Sequence, residues 1–284
     1  MPFAQNILFP VDFSASSNAL IPAVEAMARR LHIPINLLSA VEALADLVIA
    51  ETALIASIER RANEKLAAFG ADAFAGLSVR RGVVPGPAAH AIVEHAASLV
   101  QPIIIMPTHG ENAFRRLLLG SVTASVLHDA ECPIWTSAHC ADGGPIPTDY
   151  RSIVCSVDLG PHTVPVLRFA KKFAADFGAS VHVVHSIPGV DQRFENATSR
   201  RAHTFLLSSA KDSYPALAKE AEVDFPPLQI LEGTGLSEKI AAAVESHHAD
   251  LLIIGRGSVQ GVLGRLRTNA HELIRQSRCP VLSV

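Results

Sequence analysis

Apolar residues in this chain fall into two kinds of run. The first kind is short and unbroken: Ile7-Leu8-Phe9, Ile35 to Leu38, Ile103-Ile104-Ile105 and Leu251 to Ile254. Runs without polar alternation predict strands buried on both faces of a parallel sheet. The second kind recurs at helical spacing, as at Leu20, Val24, Met27 and Leu31, and predicts amphipathic helices. The first half then reads as helices over Ser16 to Leu31, over Glu51 to Phe69 before Gly70, and over Ala88 to Val100. A third strand, Val79 to Val84, carries Arg80-Arg81-Gly82 and is expected at a sheet edge. Pro85-Gly86-Pro87 predicts a turn, and Pro133 to Ser137 a closing strand.

The pattern then restarts. Ile153-Val154-Cys155-Ser156-Val157-Asp158 repeats Ile7-Leu8-Phe9-Pro10-Val11-Asp12 at an offset of 158 − 12 = 146, and Cys279-Pro280-Val281 repeats Cys132-Pro133-Ile134 at 279 − 132 = 147. Near-constant offsets over half a chain mean an internal duplication. The rhythm of each copy predicts an α/β class with two tandem doubly wound domains. Their expected bounds are 1–138 and 150–284, joined by a Gly-, Pro- and Asp-rich linker over 139–149. In the second copy the stretch Arg193 to Glu222 reads as a long helical region broken near Pro215.

Bulk properties narrow the function. Net charge is −3 over 284 residues, so no global basic field invites nucleic acid. Aromatics are 5% of the chain, too few for base-stacking platforms. No apolar run approaches the roughly 20 residues of a membrane span, and no leader precedes the first strand, so a cytoplasmic protein is expected. The four cysteines lack CxxC spacing and read as reduced core thiols. The 13 histidines lack accompanying ligands in a recognised spacing, so no metal site is expected.

The chemistry-bearing stretch is Met106-Pro107-Thr108-His109-Gly110, nine residues, then Gly120-Ser121-Val122. Glycines let a backbone approach a bulky anion. A helix capped by Ser121 offers N–H groups and a favourable dipole to phosphate. Asp12 ends the first strand, where open α/β sheets bind ligands; the same position suits a residue that tightens the turn. No G-x-S-x-G elbow, Walker lysine or G-x-G-x-x-G follows a strand, so a nucleophilic or P-loop mechanism has no support.

These residues resemble the universal stress protein family. The match is carried by Val11-Asp12, Pro85-Gly86-Pro87, the Gly110-to-Val122 stretch and Cys132-Pro133, then again by Val157-Asp158, Gly255, Gly257, Thr268 and Cys279-Pro280-Val281. The resemblance implies five-stranded parallel sheets of order 3-2-1-4-5 and an internal pseudo-dimer, and leaves a further homodimer open. One branch of that family binds ATP, with or without magnesium. Carried over, Asp12 and Val41 would hold the adenosine part, and Pro107, His109, Gly110, Gly120, Ser121 and Val122 would line the phosphate and ribose side. Asp158, Gly255, Gly257 and Thr268 mark a possible second site.

The chain departs from the motif at two places. Pro107 stands where its first glycine belongs and supplies no N–H. Arg267 stands at the closing glycine of the second copy. The first domain is therefore the expected nucleotide site, with a regulatory role, at most slow hydrolysis and a protein partner. Two rivals are a nucleotide-free tandem scaffold and an adenylyl-transferring enzyme.

Overall fold

The computed structural model describes residues 2–42, 52–109, 119–138, 146–189, 197–233, 235–256 and 268–284, with 52–55 and 268–269 as backbone. Contacts divide the chain into Met1–Thr148 and Asp149–Val284. The expected linker falls mostly outside the described residues.

In the first unit the elements run β1 (Asn6–Pro10), α1 (Ala15–Ala19), α2 (Ile21–Leu31), β2 (Ile35–Val41), α3 (Thr52–Ala68), β3 (Val79–Pro85), α4 (Ala88–Ser98), β4 (Pro102–Pro107), α5 (Ser121–Asp129) and β5 (Ile134–Ser137). All pairings are parallel: β1 lies between β2 and β4, β2 pairs with β3, and β4 with β5. The order is 3-2-1-4-5, with β3 at an edge, as its arginines predict. Ile7, Leu8, Phe9, Ile103, Ile104 and Ile105 have no exposed surface. Trp135, the only tryptophan of the chain, is fully buried in β5.

The second unit repeats this with β6 (Ser152–Ser156), α6 (Thr163–Phe177), β7 (Ser180–Pro188), α7 (Ala197–Glu220), β8 (Gln229–Gly233), α8 (Leu236–Ser246), β9 (Leu251–Ile254), α9 (Thr268–Gln276) and β10 (Val281–Ser283). Here β6 lies between β7 and β9, which pair onward with β8 and β10. Tyr150, Phe173 and Phe177 form its aromatic core: the tyrosine meets both phenylalanines edge-on at 5.2 and 4.9 Å, and they stack at 4.7 Å. Such pairs add about 0.5–1.5 kcal/mol each beyond area burial. Cys155 lies in the same core, where burial pushes its thiol up to about 12, so it is an inert apolar filler.

Local boundaries differ from expectation at three places. The single helix expected over Ser16 to Leu31 is two, broken at Leu20. Pro22 cannot donate to the carbonyl one turn back, so the ladder restarts. Conversely, α7 runs through Pro215 without a break. Buried Ala210 and Tyr214, just before the proline, anchor the helix and override the local defect. Pro107 ends β4 in register with Ser137 rather than opening the loop. As the sheet's last residue on that strand, it forgoes a donor at small cost.

Candidate functional site

In both units the carboxyl end of the first strand carries the same small device. Asp12 Oδ1 accepts from the Ser14 N–H at 3.0 Å and from the Ser17 hydroxyl at 2.5 Å. Asp158 Oδ1 accepts from the Gly160 N–H at 2.9 Å and the Thr163 hydroxyl at 3.4 Å. The residue after each aspartate is left-handed: Phe13 at φ 63° and Leu159 at φ 58°. Bulky residues rarely adopt that conformation, at a cost of about 1–2 kcal/mol. The turn reading of Asp12 is therefore real, and it aims the carboxylate. Ser14 Oγ also caps α1 by accepting from the Ser17 N–H at 3.1 Å. Among the described residues, Oδ2 of Asp12 has no partner.

Val41 ends β2, and its carbonyl accepts from the Gly86 N–H at 3.2 Å. Gly86 sits at φ +106°, where a side chain is strained even with open space around it. This fixes the Pro85-Gly86-Pro87 turn against β2. Glu42 supplies the helix cap that Pro87 cannot: its Oε1 accepts from the Ala88 N–H at 3.3 Å at the start of α4. Sequence reasoning missed Glu42; an acidic residue just after a strand, facing a helix that opens on proline, was the available signal.

Between β4 and α5 the chain closes on itself through Thr108 and Gly120. Thr108 N–H donates to the Ser137 carbonyl at 3.2 Å, and the Gly120 N–H donates to the Thr108 carbonyl at 2.9 Å. Thr123 Oγ1, buried, donates to the Pro107 carbonyl at 3.0 Å. A Cβ on Gly120 would lie 3.1 Å from that Thr108 carbonyl, so any side chain there must push the carbonyl back by a few tenths of an ångström. Here the structure corrects the expected cap: Gly120, not Ser121, is the cap residue, and Ser121 is the first helical residue. The backbone N–H groups of Ser121 and Val122 have no acceptor among the described residues. His109 Nδ1 lies 2.9 Å from Thr108 Oγ1. Gly110 falls outside the described residues.

Asp12, Val41, Pro107, His109, Gly120, Ser121 and Val122 thus sit at the carboxyl ends of β1, β2 and β4 and at the start of α5. Because β1 separates β2 from β4, this is the point where strand order reverses, the ligand-binding position of open α/β sheets.

The second unit has a cavity of about 200 Å³ at the equivalent point, lined by Ser156, Asp158, His185, Ser186 and Gly255 with apolar Val166 and Leu273. It is a feature of the copy ranked second on sequence. Gly255 follows β9, and Thr268 begins α9; Gly257 and Arg267 lie outside the described residues. His185 was not singled out as a site residue; its Nδ1 donates to the Val157 carbonyl at 2.8 Å. The described residues hold no cluster of three or more His, Cys, Asp or Glu able to bind a metal ion. None of the described helices is long and apolar enough to cross a membrane.

Two parallel five-stranded sheets of one order, each with an aspartate turn at its switch point, define a tandem doubly wound α/β protein. The Universal stress protein family model matches residues 4–137 and again 149–284, and the chain belongs to that family. Among solved structures it is similar over its whole length to a universal stress protein from Archaeoglobus fulgidus DSM 4304: 20% identity, TM-score 0.69, covering 99% of this chain and 97% of that one. A functionally unknown protein from Pseudomonas aeruginosa PAO1 matches at 16% identity and TM-score 0.63, covering 99% and 92%. No curated protein matches the chain.

Proposed function

We propose that this chain is a cytoplasmic stress-response protein that binds an adenine nucleotide, ATP in particular, mainly in its first unit. The observation that carries the reading is the start of α5. Its Ser121 and Val122 N–H groups, without acceptors among the described residues, open at the carboxyl end of the sheet, the end at which Asp12 follows β1. A helix N-terminus suits a phosphate, and an aimed carboxylate suits donors on the sugar or base. Binding would regulate conformation or partner docking, with at most slow hydrolysis.

One observation favours the nucleotide-free scaffold as a second reading. Pro107 has no N–H, and the Gly120 N–H is committed to Thr108. Two amides of the expected cradle are thus unavailable, each worth about 1.5–3 kcal/mol if it met a charged ligand.

The deciding experiment denatures freshly purified protein and identifies released small molecules by mass spectrometry, followed by thermal unfolding with ATP and magnesium. Near-stoichiometric nucleotide, or about 2.7 kcal/mol of added stability at 100 times Kd, supports the first reading. Gly120→Arg should abolish either effect. An empty protein that does not respond to millimolar ATP overturns it in favour of the scaffold.

A further inference from the structure

A cluster of titratable groups lies at the amino-terminal end of the second sheet, opposite the switch point. His182 is the third residue of β7, Gln229 opens β8, and His247 is the C-cap of α8. The rings of His182 and His247 stack with centroids 4.0 Å apart and planes within 16° of parallel. Gln229 Oε1 can only accept, so His247 donates to it from Nε2 at 2.8 Å. The Ser152 hydroxyl donates to the His247 carbonyl at 2.8 Å, which moors its backbone to β6. The two stacked rings thus tie the end of α8 to β7 and to the start of β8.

That start is a weak point of the sheet. Among the described residues β8 pairs with β7 alone, and the ladder begins at Val184 with Gln229. The first rung of an edge strand is where fraying begins.

The stack is compatible with one neutral ring at least. Two imidazolium rings at this separation repel. The charges on the surrounding elements are engaged elsewhere. Asp250 accepts from the Arg151 and Ser152 N–H groups at 2.7 and 3.1 Å, Glu245 pairs with Arg278 at 2.5 Å, and Asp149 with Arg151 at 3.6 Å. On β8, Glu232 lies at the far end and meets His203 of α7 at 3.1 Å. On β6 the register partner of His182 is Val154, and exposed His248 brings no negative charge. Burial and the neighbouring His247 hold His182 below its ordinary value. It is therefore neutral at pH 7.5 and takes a proton only in an acidic medium.

The first copy lacks the device. The registers Ile7 with Ile35 and Ile153 with Val181 make Asn36 the counterpart of His182. Leu38 with Gly82 and Val184 with Gln229 likewise make Gly82 that of Gln229. Asn36 is buried and donates to the Ile7 carbonyl at 3.1 Å, and Gly82 has no side chain. We propose that the His182–His247 stack is a proton-operated clasp: on acidification the rings part, the Gln229 bond is lost, and the start of β8 is freed in the second unit alone. This goes beyond the nucleotide reading and stands or falls independently of it.

The test is hydrogen exchange on the full chain at pH 7.5 and 5.5, corrected for the intrinsic pH dependence of amide exchange. Protection of β8 should fall about tenfold at pH 5.5, the equivalent of one hydrogen bond. Protection of β3, the corresponding edge of the first unit, should not change. His182→Phe keeps a flat ring that takes no proton, so β8 should stay protected at pH 5.5. Gln229→Leu removes the fastening itself and should leave β8 equally open at both values. If these variants do not fold, NMR titration of the wild-type imidazoles decides: the two rings should titrate as a coupled pair, in two steps. The proposal is overturned if β8 is equally protected at both pH values, or if β3 loses as much as β8. It is also overturned if His182→Phe loses protection as the wild type does, or if the two rings titrate independently.

Discussion

Gly120→Ala is the sharpest probe of how the first site is closed. The glycine has φ −59° and ψ 145°, which alanine adopts without strain. Its added Cβ, however, would sit 3.1 Å from the Thr108 carbonyl that the same residue's N–H holds at 2.9 Å. Relief means stretching that hydrogen bond, at about 0.5–1.5 kcal/mol. Alanine is also a poorer helix cap than glycine, which adds a few tenths. The expected loss is about 1–2 kcal/mol, or roughly 2–8 °C in melting temperature for a unit of this size. Gly120→Ser brings the same Cβ with a hydroxyl able to cap α5, recovering about 1 kcal/mol. The assay is urea unfolding followed by tryptophan fluorescence, since the chain's single tryptophan, Trp135, is buried in β5 and reports the first unit alone. If Gly120→Ala unfolds at the wild-type midpoint, the Thr108–Gly120 contact does not close the loop. If the serine and alanine variants lose equally, the cap argument is wrong and only the clash matters.

Three further outcomes are expected. Thr123→Val removes the buried donor to the Pro107 carbonyl and should cost about 1–3 kcal/mol by the same fluorescence measurement. Lys239→Met removes an ammonium that donates to the carbonyls of Ile187 at 2.9 Å and Gly233 at 2.8 Å; a loss of about 1–3 kcal/mol should appear as faster amide exchange at the ends of β7 and β8. Burial holds His95, His182 and His271 below their ordinary value near 6.5, and for His182 the stacked His247 adds to this. The unfolded chain binds more protons in that window, so stability is full above about 6.5 and falls as pH drops through the lowered native values. Melting at pH 7.5 and 5.5 should show this, and His182→Phe should flatten the slope.

The duplication was legible because buried parallel strands leave unbroken apolar runs, and these recur in one sequence order; the strand order followed from the family resemblance. Asp12 was legible as a candidate because its strand end is where open α/β sheets bind ligands, although the sequence left open that Ser14 and Ser17 would hold it. Other details depend on tertiary contacts. Pro22 and Pro215 are both prolines within helical pattern, yet only the first breaks its helix, since burial around Tyr214 decides the second. His185 was passed over because its partner is a carbonyl 28 residues away. Ser121 looked like a cap because serine is a favoured cap residue; the tight Thr108–Gly120 contact puts glycine there instead.

The recurring turn at Asp12 and Asp158 has a consequence for how such a chain can change over time. In each copy the scaffold itself, through one backbone amide and one hydroxyl, keeps the carboxylate in place without help from any guest molecule. Shape is thereby uncoupled from taste. A gene doubled in this way can rewrite the neighbouring letters, Ser39 in one half and His185 at the matching register in the other, while both halves go on bonding the aspartate in the same way.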